Sequence, residues 1–222
     1  MPVVLSLNIA SKTTEVDYAQ KGATAIDKRP VDGPLEVRPP GPKKSAGSGI
    51  QGDVIADWDH HGGDYQAVYG YAREDLDFWQ GELGVGLRNG QFGENLTTQG
   101  IDHTHALIGE QWRIGTALLE VSAARVPCRT FAGFLGQRGW VKRFTQVARP
   151  GAYFRVIEAG LIAPGDEITV VRRPEHDVTV EVFFRAITTE AELLPRLLAA
   201  GDSVPPGVID LVHKRTVIEL DL

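Results

Sequence analysis

The spacing of glycine and proline constrains this chain most: 25 glycines and 13 prolines divide its 222 residues into short apolar runs. Either residue inside a helix opposes the continuous periodicity that a helical bundle requires, whereas short runs bounded by turn residues suit strands. Strands are accordingly expected at residues 3–9, 65–71, 95–98, 112–114, 117–122, 153–157 and 167–172, the last announced by the turn Ala163-Pro164-Gly165-Asp166. Helical spacing is confined to a few places. Leu76, Trp79 and Leu83 share one face of residues 73–83, and further helices are expected at 131–135, 140–148, 190–200, ended by Gly201, and 206–213. Residues 12–50 form a Gly/Pro-rich stretch with only short extended pieces, such as 35–38, and residues 39–45 read as an exposed loop. Many short strands with few helices predict a mainly β protein of the α+β class. It would be built on a curled or closed sheet over residues 1–174, with a partly helical extension at 175–222.

A formal charge of −6 argues against a protein built mainly to hold nucleic acid, although a local basic patch can still take a phosphate. A small-molecule partner is therefore expected. The apolar run at residues 1–10 lacks a basic leader region and an A-x-A cleavage pattern, and it is too short to span a bilayer. The expectation is a cytoplasmic protein without a membrane partner, and a single cysteine agrees with a reducing compartment.

That cysteine, Cys128, follows a proline in the run Arg125-Val126-Pro127-Cys128-Arg129. A lone thiol is an inert core residue, a nucleophile or a ligand for a soft metal. Two guanidiniums nearby in sequence favour the thiolate, which is the form that attacks and that ligates. Two other stretches carry polar groups among turn residues. His61-Gly62-Gly63 lets a backbone approach a ligand and offer N–H groups, beside a histidine able to orient it. In Phe92-Gly93-Glu94-Asn95-Leu96-Thr97, Asn95 can donate and accept at a heterocycle edge, while Glu94 reads as structural. His60, His61, His103, His105 and Cys128 supply the residue types of a zinc site without its spacing, and no Walker, CxxC, HExxH or GxSxG pattern occurs.

Taken in order, Thr24-Ala25-Ile26-Asp27-Lys28-Arg29-Pro30-Val31-Asp32-Gly33, Gly49-Ile50-Gln51-Gly52-Asp53, His61-Gly62-Gly63 with Gln66-Ala67-Val68-Tyr69, Phe92-Gly93-Glu94-Asn95-Leu96, Arg125-Val126-Pro127-Cys128 and residues 160–166 resemble the MOSC family. That family is named for the carboxyl-terminal domain of molybdenum cofactor sulfurase, and the likeness is to its bacterial N-hydroxylaminopurine-resistance branch. The resemblance implies a barrel-like β fold with a few peripheral helices. It implies that Cys128 gives a thiolate to the molybdenum of a pyranopterin cofactor, with Arg125 and Arg129 holding phosphate or stabilising that thiolate. Asn95 and Thr97 would contact the pterin or line the site, His61, Gly62 and Gly63 would form the opposing wall, and Thr24 would keep a hydroxyl at the amino-terminal cofactor contact. The implied activity is reduction of small N-hydroxylated compounds with electrons from a separate reductase, since no flavin or haem motif is present. The alternative is a carrier that holds sulfur or the cofactor on Cys128 without turnover. The tail after Pro174 departs in sequence from the helical extension of the resistance proteins.

Overall fold

The computed structural model describes residues 1–45 and 47–221. The first apolar run forms β1 (Val3–Ile9), and the Gly/Pro-rich stretch after it supplies only short pieces: β2 (Thr14–Glu15), β3 (Ala23–Thr24), β4 (Arg29–Val31) and β5 (Leu35–Val37). Longer apolar runs give β6 (Val68–Ala72), β7 (Leu96–Gln99), β8 (Gln111–Ile114), β9 (Ala117–Ala124), β10 (Ala152–Glu158), β11 (Gly160–Ile162) and β12 (Ile168–Arg172). Helices α1 (Arg73–Leu83), α2 (Arg129–Leu135), α3 (Trp140–Val147), α4 (Val180–Thr188) and α5 (Pro206–Lys214) pack around them.

Eight strands make one sheet in the order β12-β8-β9-β10-β6-β7-β1-β4. All its pairs are antiparallel except β6 with β7, where α1 provides the crossover that a parallel pair needs. The α+β class is as expected. The closed barrel is not: β1 meets the far edge through the isolated bridge Val3↔Glu167 and the backbone hydrogen bonds beside it, Val4 to Asp166, Gly165 to Val4 and Ile168 to Pro2, while the rest of its outer side pairs with β4 from Leu7 to Ile9. No continuous ladder forms there, so the sheet is strongly curled but not closed. The small β5–β11 pair lies beside it.

Local chemistry explains where expectation and structure differ. Tyr65 and Gln66 leave the predicted strand and join Asp64 in a 3-10 turn, where the Asp64 carboxylate accepts the Gly41 N–H at 2.8 Å while its own N–H donates to the Gly41 carbonyl. Ala191–Ser203 winds as 3-10 rather than α-helix, with Pro195 inside it lacking the N–H of a regular turn. Helix α4 is not among the expected helices, although Val180, Phe183, Phe184 and Ile187 recur at helical spacing. Its Val-Glu-Val-Phe-Phe opening has strand propensity, but Thr179 caps it by accepting the Val182 N–H, and Glu181 pairs with Arg185 one turn on. The apolar core runs without a break from the sheet into Phe183, Phe184, Leu194 and Leu197 of residues 175–222.

Fully buried aromatic rings join the helices to the loop before β7. Phe92 meets Phe131 of α2 at 5.0 Å and Trp140 of α3 at 5.5 Å between centroids, and Trp79 of α1 meets Trp140 at 4.7 Å. Phe92 stands two residues before Glu94, and Phe131 three after Cys128. This cluster fixes the two segments against each other. Phe92→Ala is expected to cost about 3–5 kcal/mol in denaturant unfolding, the range for deleting a buried ring; a loss below about 1 kcal/mol would show that the ring carries no such packing.

Candidate functional site

Cys128 owes its position to three consecutive local effects. Strand β9, buried along its whole length, ends at Ala124. Pro127 then removes a donor from the chain and keeps Val126 out of the helical region. Helix α2 starts at Arg129, so Cys128 occupies its N-cap position in extended conformation (φ −139°, ψ 169°). A β-bulge in the β9–β10 register falls at Ser122, whose hydroxyl donates to the Tyr65 and Tyr153 carbonyls at 2.7 and 3.1 Å. Bulges of this kind re-aim side chains beside functional sites. Here the register sets Tyr153 opposite Tyr69 on one side and Ala123 on the other.

These elements border a cleft of about 610 Å³. His61 and Gly62, Asn95, and Arg125, Cys128 and Arg129 all line it, together with Thr24, so three stretches far apart in sequence converge. Gly63 and Thr97 do not reach it. The Gly63 N–H donates to the Gly47 carbonyl at 3.2 Å, and a Cβ there would lie 2.6 Å from the Lys43 backbone. Its role is to let Lys43 and Gly47 approach. Thr97 lies behind the wall, accepting from Asn8 at 3.0 Å and donating to Glu94 at 2.8 Å. Glu94 is structural as read: fully buried and held above its ordinary value by burial, it also accepts the Phe92 N–H at 3.0 Å and the Gly90 N–H. Asn95 lines the cleft with its polar head already engaged. Its oxygen accepts the Tyr69 N–H, and its amide donates to the Asn8 carbonyl and to Asp53, which leaves no amide proton for a heterocycle.

The sequence reading left Lys28 and Asp53 out of the site, yet they form its buried ion pair. Asp53 also accepts the Ala10 N–H at 2.9 Å and the Asn95 amide at 2.9 Å. Burial pulls the Lys28 ammonium below its ordinary value, against the attraction of Asp53. Arg125 is 5% exposed, and its guanidinium lies over the Tyr69 and Phe131 rings at 5.2 and 4.7 Å, a cation–π arrangement. Its Nε is buried without a hydrogen-bond partner. Tyr153 adds a phenol to the wall, raised above its ordinary value by burial, with Arg125 opposing that rise. His61 is half-buried, and loss of hydration followed by the field of Arg125 lowers it to about 3, so the ring is neutral at pH 7. Arg129 is exposed at the mouth.

The histidines do not gather into a zinc site. His103 is enclosed by Trp112 and Phe154 with its Nε2 on Thr98, and His105 is exposed against Asp102. Among the described residues no three His, Cys, Asp or Glu side chains are placed to hold a metal ion by themselves. Nor is any helix among them long and apolar enough to cross a membrane.

A curled α+β sheet with one thiol at a strand-to-helix turn and a cationic inner wall defines the class structurally. The MOSC domain family matches residues 57–169, and this chain belongs to that family. It is 34% identical over 178 residues to the uncharacterized protein YflK of Bacillus subtilis, covering 80% of this chain and 77% of that one. Protein YiiM of Escherichia coli is 30% identical over 170 residues, 74% of this chain and 70% of its own. A protein of Gibberella moniliformis named "Reductase" is 32% identical over 138 residues, 60% of this chain but 24% of the fungal protein. Among solved structures, YiiM from Geobacillus stearothermophilus shares the fold with a TM-score of 0.77 at 24% identity, covering 97% of this chain and 99% of that one. The tail after Pro174, expected to depart from such proteins, therefore falls within a shared fold.

The lowered His61 makes stability depend on pH. Between about 3 and its ordinary value of 6.5 the unfolded chain holds a proton that the folded chain does not, so stability rises with pH through that window and falls on acidification. His61→Gln is expected to flatten this part of the curve relative to the unaltered protein, measured by urea unfolding at intervals of pH. Parallel curves would show that His61 titrates as it does in the unfolded chain.

Proposed function

We propose that this MOSC protein binds a molybdenum–pyranopterin cofactor in the cleft and reduces small N-hydroxylated compounds with electrons from a separate reductase. The observation that carries this reading is the placement of the chain's one thiol, Cys128, on the wall of a cleft that also holds a buried guanidinium with an unpartnered Nε. The fit is chemical. With no three-residue metal cage among the described residues, a metal here must bring ligands of its own, and a dithiolene does so, leaving one soft protein thiolate to complete the set. Its phosphate needs a desolvated cation, which Arg125 supplies. The fungal relative named "Reductase" supports the redox class.

The reduction converts R–NH–OH, two electrons and two protons into R–NH2 and water. The cofactor, when bound, supplies the two-electron redox chemistry. The chain's own groups bind, orient and protonate. Burial keeps the Tyr153 phenol protonated on the cleft wall, and the neutral His61 ring offers one N–H donor and one acceptor nitrogen to orient a substrate. Arg125, fixed by Tyr69 and Phe131, orients anionic charge without needing to reorganise. Asn95 and Thr97 hold the wall rather than the ligand.

Protein produced in a cofactor-competent host is expected to carry near-stoichiometric molybdenum and to reduce a hydroxylaminopurine or an amidoxime with an artificial donor under anaerobic conditions. Cys128→Ala should lose both metal and activity while keeping the unfolding midpoint of the cofactor-free unaltered protein, since the half-buried side chain leaves a small void. Recovery of a persulfide on Cys128 with no molybdenum would overturn the reductase reading in favour of a sulfur carrier. Arg125→Met keeps the apolar stem on Phe131 and is expected to weaken cofactor retention by roughly 10- to 100-fold, the range for groups that support a metal centre from outside its ligand set.

A further inference from the structure

The outer side of the cleft is closed by a segment that belongs to no strand or helix. After α5 the chain reverses at Arg215, in the left-handed region at φ 53°, and the Ile218 N–H then donates to the Ile187 carbonyl at 2.7 Å. That bond pins the tail to the end of α4 and brings Ile218, Glu219 and Asp221 onto the cleft. The other carboxylates lining the cleft already have partners: Asp53 faces Lys28, and Asp57 bonds to His60 at 2.8 Å. Glu219 and Asp221 form no ion pair among the described residues. Both are exposed, so their charge is presented to whatever enters.

We infer that Glu219 and Asp221 form a selectivity rim that rejects anionic substrates, restricting the cleft to neutral or cationic N-hydroxylated bases, amidines and nucleosides and excluding their phosphorylated forms. The inference rests on the reductase reading above. Lys28 is paired with Asp53 and Arg125 is taken by the cofactor, but without the tail Lys43 and the exposed Arg129 would still draw phosphate esters into the cleft. With it, a phosphate bearing close to two negative charges also meets two carboxylates on the same cleft. A resident cofactor crosses this rim once, when it is loaded, whereas a substrate crosses it at every turnover. The rim therefore acts mainly on substrate capture.

The test uses the molybdenum-loaded protein and a Glu219→Gln/Asp221→Asn double variant, compared on 6-hydroxylaminopurine and its ribonucleoside 5′-monophosphate. The kcat/KM ratio of base to nucleotide is expected to fall by roughly tenfold in the variant, the lower end of electrostatic focusing in a charged cleft. Added salt should narrow the gap in the unaltered protein by screening the exposed carboxylates, whereas in the variant, where the cations act unopposed, it should weaken capture of the nucleotide. An unchanged ratio overturns the inference. If neither compound is reduced, the reductase reading fails separately. The ratio of the two dissociation constants, measured by calorimetry on the same proteins, then decides: a tenfold shift supports the rim, and no shift overturns it.

Discussion

Asp53 is the carboxylate on which the walls of the cleft converge. It accepts the Ala10 N–H at the end of β1, the Lys28 ammonium from the segment before β4 and the Asn95 amide from the turn into β7. Residues 10, 28, 53 and 95 are thus tied at one buried group. Such a pair adds little net stability, because desolvating both charges offsets most of their attraction. What it contributes is position. An unpaired ammonium or carboxylate in that place would cost several kcal/mol, so alternative packings of these loops are disfavoured. Asn95 extends the tie to the Tyr69 N–H, and so to the strand that carries one of the two rings beneath Arg125.

The aromatic cluster does for α2 what Asp53 does for the loops. Phe131 lies in the first turn of that helix, against Phe92, Trp140 and Phe144, and it also supports the Arg125 guanidinium. One ring therefore couples the core to the charge beside Cys128. The polar ties and the apolar packing meet at the segment between Phe92 and Asn95, which has Glu94 buried beneath it, bonded to two backbone N–H groups and a hydroxyl.

Local pattern carried much of this into the sequence. The strand at β1, the full extent of α1 and the helices after Cys128 follow from alternation and helical spacing, and the structure has them within two residues of where those rules put them. What was not legible depends on distant partners. Helix α4 is a different case: its β-branched and aromatic residues favour a strand, but their spacing at 180, 183, 184 and 187 and the Thr179 cap already point to a helix. Closure of the sheet turned on whether β4 or the far edge strand would take the free side of β1, and nothing in either sequence segment records that competition. Asn95 was legible as polar but not as already engaged. Lys28 stood inside a quoted motif, yet only the fold reveals that it is buried against Asp53, and the tail residues at the rim carry no motif at all.

The two arginines that flank Cys128 in sequence are not equivalent in space, and the difference sets the electrostatics of the cleft. Arg129 is exposed at the mouth, where water and salt reduce its field over roughly 10 Å or less. Arg125, three residues the other way, is buried, and its charge acts on His61, Lys28, Tyr69 and Tyr153 together. In the lower dielectric behind the wall the same unit charge acts several-fold more strongly than at the surface. It favours the neutral base form of its cationic neighbours and the anionic form of an acid such as the Tyr153 phenol. An anionic ligand group in the cleft therefore draws on this buried guanidinium, and one that also reaches Cys128 must place its charge between the two residues.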